Sequence, residues 1–351
     1  TSRAQYFFEY VPVRHLKRIL VEGMYLDEQE LFDLRRSLET IRDIVRFLQK
    51  SDDDEEEGTS PYPCLKRLAG DITVFPQLIA KINGILSPYG KIKDNASTEL
   101  ARIRRELAST MGSISRSLNS ILRNAQSEGV VDKDVTPTMR DGRLVIPVAP
   151  ALKRKIRGIV HDESASGKTV FIEPAEVVEA NNRIRELEGD ERREIIRILT
   201  GFSNQLRPSI PDVLLSYEFL AEIDFIRAKA LFAEQISGLK PALENKQLLD
   251  WTMAVHPLLQ LSLAKHGKKV VPLDIELNEK QRILIISGPN AGGKSVCLKT
   301  VGLLQYMLQS GLLIPMHERS HAGIFSSIFI DIGDEQSIED DLSTYPPTLQ
   351  T

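Results

Sequence analysis

The stretch ILIISGPNAGGKSV, residues 283–296, constrains this chain more than any other. Four apolar residues in a row read as a buried strand, and the glycines turn the chain into a helix expected from Ser295 to about Gly311. The spacing is G-x-x-x-x-G-K-S, a loop whose backbone N–H groups converge on phosphate oxygens because glycine carries no Cβ to block them. The positive end of the following helix adds to that field. In this reading Gly288, Pro289, Asn290, Ala291, Gly292, Gly293, Lys294, Ser295 and Val296 cradle the phosphates of ATP. Lys294 reaches the β- and γ-phosphates, and the Ser295 hydroxyl takes a Mg2+ site.

A second Gly-Lys-Thr, residues 167–169 in SASGKT, lacks that context. The position of its first glycine is Asp162, no buried strand leads directly into it, and a strand follows where a helix is needed. It reads as a hairpin turn with an exposed lysine.

Upstream the pattern is helical. Leu31, Leu34, Leu38, Ile41, Val45 and Leu48 make one stripe of a helix from Asp27 to Lys50, which the acidic run 51–58 ends as a solvated loop. A second amphipathic run spans Ser97 to Ala125. Neither sustains several strict heptads, which favours a helical bundle over a coiled-coil arm. Residues 138–174 then predict three short antiparallel strands with hairpin connections, inserted between helical stretches as at the tip of an arm. Helix returns from Ala175 to Leu206 and, after Pro208 and Pro211, from Val213 to about Gln235. Residues 238–247 form a turn-rich joint, beyond which the pattern is α/β.

A net charge of −4 over 351 residues gives no global attraction to nucleic acid, so any such binding needs a local patch. Lys153, Arg154, Lys155, Arg157 and Lys168 lie around the predicted strands. They suit a phosphate-tracking patch and equally a solvated basic surface. The two cysteines, Cys64 and Cys297, form no ligand or redox pattern, which suits a reducing cytoplasm. No apolar run approaches the roughly 20 residues that cross a bilayer, so no membrane partner is expected. No signal peptide is evident, and Thr1 at the start points to an excised fragment. His256, before Pro257, reads by itself as structural rather than as a ligand.

The run FIDIGDEQSIEDDLSTY, 329–345, poses the sharpest ambiguity. Asp334 and Glu335 could be the acidic strand end that holds magnesium, but Asp331 interrupts the apolar run and Gly333 separates it from the acids. Pattern alone leaves both readings open.

GPNAGGKS, preceded by VHPLL (255–259) and followed by GDEQSIEDDLSTY (333–345), resembles the MutS ATPases, which are related to ABC ATPases. RDGRLVIPV, GIVHDESASGKTVFIEP and EIDFIRAKALFAEQ look like the MutS-two branch, so the resemblance covers most of the chain. It implies a multidomain, mainly α protein with a small antiparallel β clamp and a truncated α/β P-loop, ABC-like ATPase domain. The parts would be a helical core and lever over 1–130, the clamp over 131–174, returning helices over 175–245 and the partial ATPase domain over 246–351.

The resemblance adds His256 to the nucleotide-binding set. It makes 333–345 a signature segment in which Ser343 approaches the nucleotide of a partner subunit, with Asp334, Glu335, Asp340 and Asp341 shaping the loop. It further implies a cytoplasmic homodimer that clamps branched or mismatched DNA, suppresses homologous recombination and carries a Smr nuclease-like domain outside this chain. Two other readings stand beside it: a quality-control ATPase on stalled or collided ribosomes, and a binding and dimerisation module without turnover. The family motif would continue as helix past Ser343, whereas Pro346-Pro347 departs from it.

Overall fold

Asp27 and Glu30 begin the first long helix as a reciprocal capping box. Glu30 N–H donates to Asp27 Oδ1 at 2.8 Å, and Asp27 N–H donates to Glu30 Oε2 at 2.9 Å. Helix α2 (Glu28–Gln49), after the short α1 (Val13–Arg18), buries the whole predicted stripe from Leu31 to Leu48. It packs with α4 (Pro76–Ile85), which follows α3 (Pro63–Leu68) and buries Leu78, Ile79 and Ile82. Buried Arg35 fixes the chain beyond α4 by donating to the Ser87 and Pro88 carbonyls at 2.9 and 3.0 Å. This computed structural model describes residues 13–49, 61–288 and 293–331, so the acidic run 51–58 lies outside the described residues.

Ser97 caps α5 (Thr98–Ser127), accepting from Leu100 N–H at 3.0 Å. The helix pairs with α6 (Val178–Leu206), and cross-helix bonds fix an antiparallel register. Ser97 Oγ donates to Glu194 at 2.6 Å, Arg104 Nε pairs with Glu191 at 2.7 Å, and Arg183 Nη2 pairs with Glu106 at 2.7 Å. At 30 residues α5 is roughly 45 Å long. The long amphipathic run is therefore half of an extended helical hairpin, while α2 sits in a bundle.

Between these helices lies a sheet of β1 (Thr138–Arg140), β2 (Arg143–Val148), β3 (Gly158–Glu163) and β4 (Val170–Pro174). Three strands were expected. The Asp141-Gly142 turn folds residues 138–140 back as a fourth, and the order is β1-β2-β4-β3. β3 does not pair with β2, because the 3-10 turn Pro150–Lys155 carries the chain past β4 to its far edge. Ile146, Val148, Val170 and Ile172 share one core with Ile114, Leu118, Leu122 and Ala125 of α5 and Ile184 of α6. The helices thus supply the apolar cover that a four-stranded sheet of this size needs.

On the other side of β4 sits Glu173, with 0% of its surface exposed. Arg143 Nη1 donates to it at 2.7 Å, Asn181 Nδ2 donates at 2.8 Å, and His161 Nε2 also hydrogen-bonds it. Burial alone would push this carboxyl up. The bonds from Asn181, Arg143 and His161 outweigh that and hold it below the usual carboxylate range.

A 3-10 turn, Arg207–Ser209, leads into α7 (Ile210–Ile236), which starts before Val213 because Pro211 in the first turn needs no intrahelical partner. The chain divides into two compact units within α7, 1–220 and 221–351. The second holds β5 (Ala242–Glu244), β6 (Leu249–Ala254), α8 (Pro257–Ala264), β7 (Leu273–Leu277), α9 (Lys294–Gln309) and β8 (His321–Gly323). Its sheet runs β5-β8-β6-β7, with β5 and β8 parallel and the other pairs antiparallel. Trp251, Ile275, Leu304, Met307, Leu308 and Ala322 form its core.

One expectation fails here. Residues 283–286 form no strand, and Ile283 and Ile285 are 84% and 85% exposed. A strand of that composition needs cover on both faces, and among the described residues none pairs with it.

Glu173→Ala leaves Arg143 without its buried counter-charge, so urea unfolding should show the first unit less stable by about 3 kcal/mol. With its folded pKa depressed, Glu173 contributes fully above its ordinary value of 4.5 and loses that contribution as pH falls through the folded value. Glu173→Gln should therefore flatten the acid limb of the stability curve; an unchanged limb would refute the coupling.

Candidate functional site

The predicted phosphate loop meets α9 at Gly293, which adopts φ 78 and ψ 14, a left-handed conformation that glycine takes without a Cβ clash. Among the described residues no side chain caps this helix, so its first N–H groups are available there to an outside acceptor. Lys294 Nζ donates to the Gly288 carbonyl at 2.6 Å and so closes the two ends of the loop on each other. Ser295 follows in the first turn, exposed, and Val296 behind it is half-buried. Pro289, Asn290, Ala291 and Gly292 lie outside the described residues. Burial pushes the Cys297 thiol up, away from the reactive thiolate.

His256 is 4% exposed and caps α8, its Nδ1 accepting from Leu259 N–H at 3.4 Å. Burial lowers its pKa, and the charge of Lys299 on α9 lowers it further. The structure thus gives this histidine a cap within the same unit as the loop.

Lys153, Arg154 and Lys155 occupy the 3-10 turn before β3, Arg157 immediately precedes β3, and Lys168 sits in the β3–β4 hairpin. Leu152 and Ile156 of this stretch face the core, which turns the basic side chains outward. All five are exposed. They are spread along the β3–β4 ribbon, with Lys168 and Arg157 at opposite ends, rather than gathered at one point. The SASGKT segment is the expected hairpin turn: Gly167 N–H donates to the Ser164 carbonyl at 2.7 Å and Ser164 N–H to the Thr169 carbonyl at 2.8 Å.

Ser343, Asp334, Glu335, Asp340 and Asp341 lie outside the described residues, as does Pro346-Pro347. Of the preceding segment, Phe329 and Ile330 are exposed and not in a strand, with Ile330 leaning over Gly302 of α9. The Glu173 cluster was not foreseen. Its one signal in the sequence is an acid inside the apolar strand VFIEP.

Residues 284–350 match the family described as MutS domain V. Endonuclease MutS2 of Finegoldia magna is 40% identical over 338 residues, covering 96% of this chain and 42% of that protein. Endonuclease MutS2 of Pelotomaculum thermopropionicum is 42% identical over 324 residues, covering 92% and 39%. The chain belongs to the MutS2 family, and it spans about two-fifths of the length of these curated relatives.

His256 offers a direct check of the unit that carries the loop. With its folded pKa depressed, the unfolded chain binds the extra proton first, so stability falls as pH drops below the ordinary value of 6.5. His256→Asn keeps a capping acceptor and removes the titration. Its thermal-unfolding midpoint should vary less than the wild type's between pH 7.5 and 5.5, and parallel curves would contradict the assignment.

Proposed function

We propose that this chain is the core, lever, clamp and leading part of the ATPase domain of an ATP-dependent, DNA-acting MutS2 protein. The observation that carries the reading is the geometry at α9: Lys294 bridging to the Gly288 carbonyl, left-handed Gly293, and a helix start that no described side chain caps. These residues fit a Mg2+-bound nucleotide. Residues 288–296 would hold the phosphates, Lys294 would exchange its carbonyl partner for phosphate oxygens, and Ser295 would offer its hydroxyl to the metal. Bound ATP supplies a γ-phosphoryl group whose presence or loss can bias one conformation over another.

The domains in this reading are the core and lever over 1–130 and 175–245, the clamp over 131–174 and the ATPase part over 246–351. Ser343 would complete the site of a second subunit, so the working unit is a homodimer. The clamp would grip branched or mismatched DNA through Lys153, Arg154, Lys155, Arg157 and Lys168, with suppression of recombination as the outcome in the whole protein. The name of the curated relatives, endonuclease, supports a role on nucleic acid. Cleavage belongs to a part beyond this chain.

Lys294→Ala should weaken binding of a fluorescent ATP analogue roughly 10- to 100-fold, the worth of one charge-assisted bond to phosphate. Lys168→Ala should leave it unchanged. Equal affinity of wild type and the Lys294 variant would sink the assignment of the loop.

A further inference from the structure

Of the ten arginines of the α5–α6 hairpin, Arg185 and Arg192 donate to the Asp141 and Glu188 backbone carbonyls, and the other eight divide into two sets. Arg102, Arg104, Arg183, Arg193 and Arg197 each pair with an acid on their own or the facing helix. Arg105, Arg116 and Arg123 are exposed and engage no acidic side chain among the described residues. With each residue advancing about 100° around the helix, these three fall within about 20° of one another. Their line runs roughly 150° from the buried seam of Ile114, Leu118, Leu122 and Ala125, along the back of the helix. Between them this face carries Ser109, Gly112 and Asn119, small or hydrogen-bonding residues that let a ligand approach the helix surface.

A solvated helix face ordinarily mixes both signs, as the first turns of α5 do with Glu99, Arg102 and Glu106. From Leu107 to Ser127 the helix has no acid at all. In a chain of net charge −4, a one-signed face with no counter-charge suits an external polyanion.

We propose that this face of α5 is a second nucleic-acid contact, on which Arg105, Arg116 and Arg123 track the sugar–phosphate backbone of B-form duplex DNA. The inference rests on the DNA-clamping reading and extends it from the β3–β4 ribbon onto the helix. The unequal spacing suits a duplex whose two grooves differ in width. Arg105 to Arg116 is roughly 16 Å along the axis and Arg116 to Arg123 roughly 10 Å. The long and short intervals correspond to crossing a wide major groove and then a narrow minor one, roughly 12 and 6 Å, each extended by the phosphates on its walls. A-form RNA also alternates a narrow groove with a wide one, so the choice of B-form DNA comes from the DNA-clamping reading.

The test is the salt dependence of duplex binding by the 351-residue chain. Replacing all three arginines by Gln, whose helix propensity is similar, should leave the unfolding curve intact. It should lower the log–log salt slope on duplex DNA by about 2.7, so that the wild type's advantage shrinks roughly fortyfold between 50 and 200 mM salt. The triple Arg→Lys variant should keep the slope. An unchanged slope in the Gln variant, with binding still lost when Lys153, Arg154, Lys155 and Arg157 are replaced, overturns the helix contact and leaves the clamp reading standing. No duplex binding by the wild type overturns both. An equal fall in slope on duplex RNA of the same sequence overturns the assignment to B-form DNA.

Discussion

A carboxylate with no exposed surface dictates how the small sheet joins the helices. Glu173 cannot stay charged in an apolar setting without partners, and each partner comes from a different element: Arg143 from β2, His161 from β3 and Asn181 from α6. Arg143 Nη2 also donates to Asn182 Oδ1 at 2.8 Å, and Asn181 reaches the Leu144 backbone in both directions, N–H to Oδ1 at 3.4 Å and Nδ2 to O at 3.3 Å. Sliding β4 by one residue would turn Glu173 toward the apolar face and break all of these bonds at once. The apolar core beneath the sheet supplies cohesion without direction. The charged cluster above it fixes the register of three strands against one helix.

The same division of labour runs down the hairpin. The stripe on α5 tells the helix to bury one side, but many rotations and offsets against α6 would bury comparable area. Ser97 with Glu194, Arg104 with Glu191 and Arg183 with Glu106 select one offset, because each polar pair lies beside the seam at matched heights. Arg104 also holds the Ile92 carbonyl at 3.0 Å and Asp94 at 2.6 Å, tying the hairpin to the segment that enters it. Exposed pairs of this kind contribute little energy individually. Their value lies in excluding wrong registers, where like charges would face one another.

Sequence pattern disclosed these features unevenly, for physical reasons. The long helices were readable because a 3.6-residue period is a local property, and their ends carry local signals such as the Asp27–Glu30 box and the Ser97 cap. The start of α9 was readable because a glycine run followed by Lys294 and Ser295 marks a local turn into helix, and the helix begins at Lys294 after left-handed Gly293. Strand order was not, since nothing in residues 150–157 states which edge of β4 the chain will reach. The run 283–286 shows the same limit from the other side. Four apolar residues declare a demand for burial and leave open which residues supply it. The Glu173 cluster joins positions as much as 38 residues apart, from Arg143 to Asn181, at spacings no helical or strand period contains.

Charge gives the last step, because the whole-chain balance conceals its arrangement. Counting 45 basic against 49 acidic residues argues against a nucleic-acid ligand. The acids are nonetheless unevenly distributed: six stand together in the sequence at residues 52–57, others are spent on the paired arginines of α5 and α6, and none falls between Leu107 and Ser127. Interactions between exposed charges are screened beyond roughly 8–10 Å at ordinary salt, whereas α5 alone is about 45 Å long. A phosphate near Arg116 or Arg123 therefore responds to neighbouring arginines and neutral serines rather than to the total. Local sign, set by which basic residues have been given an internal partner, decides what this surface attracts.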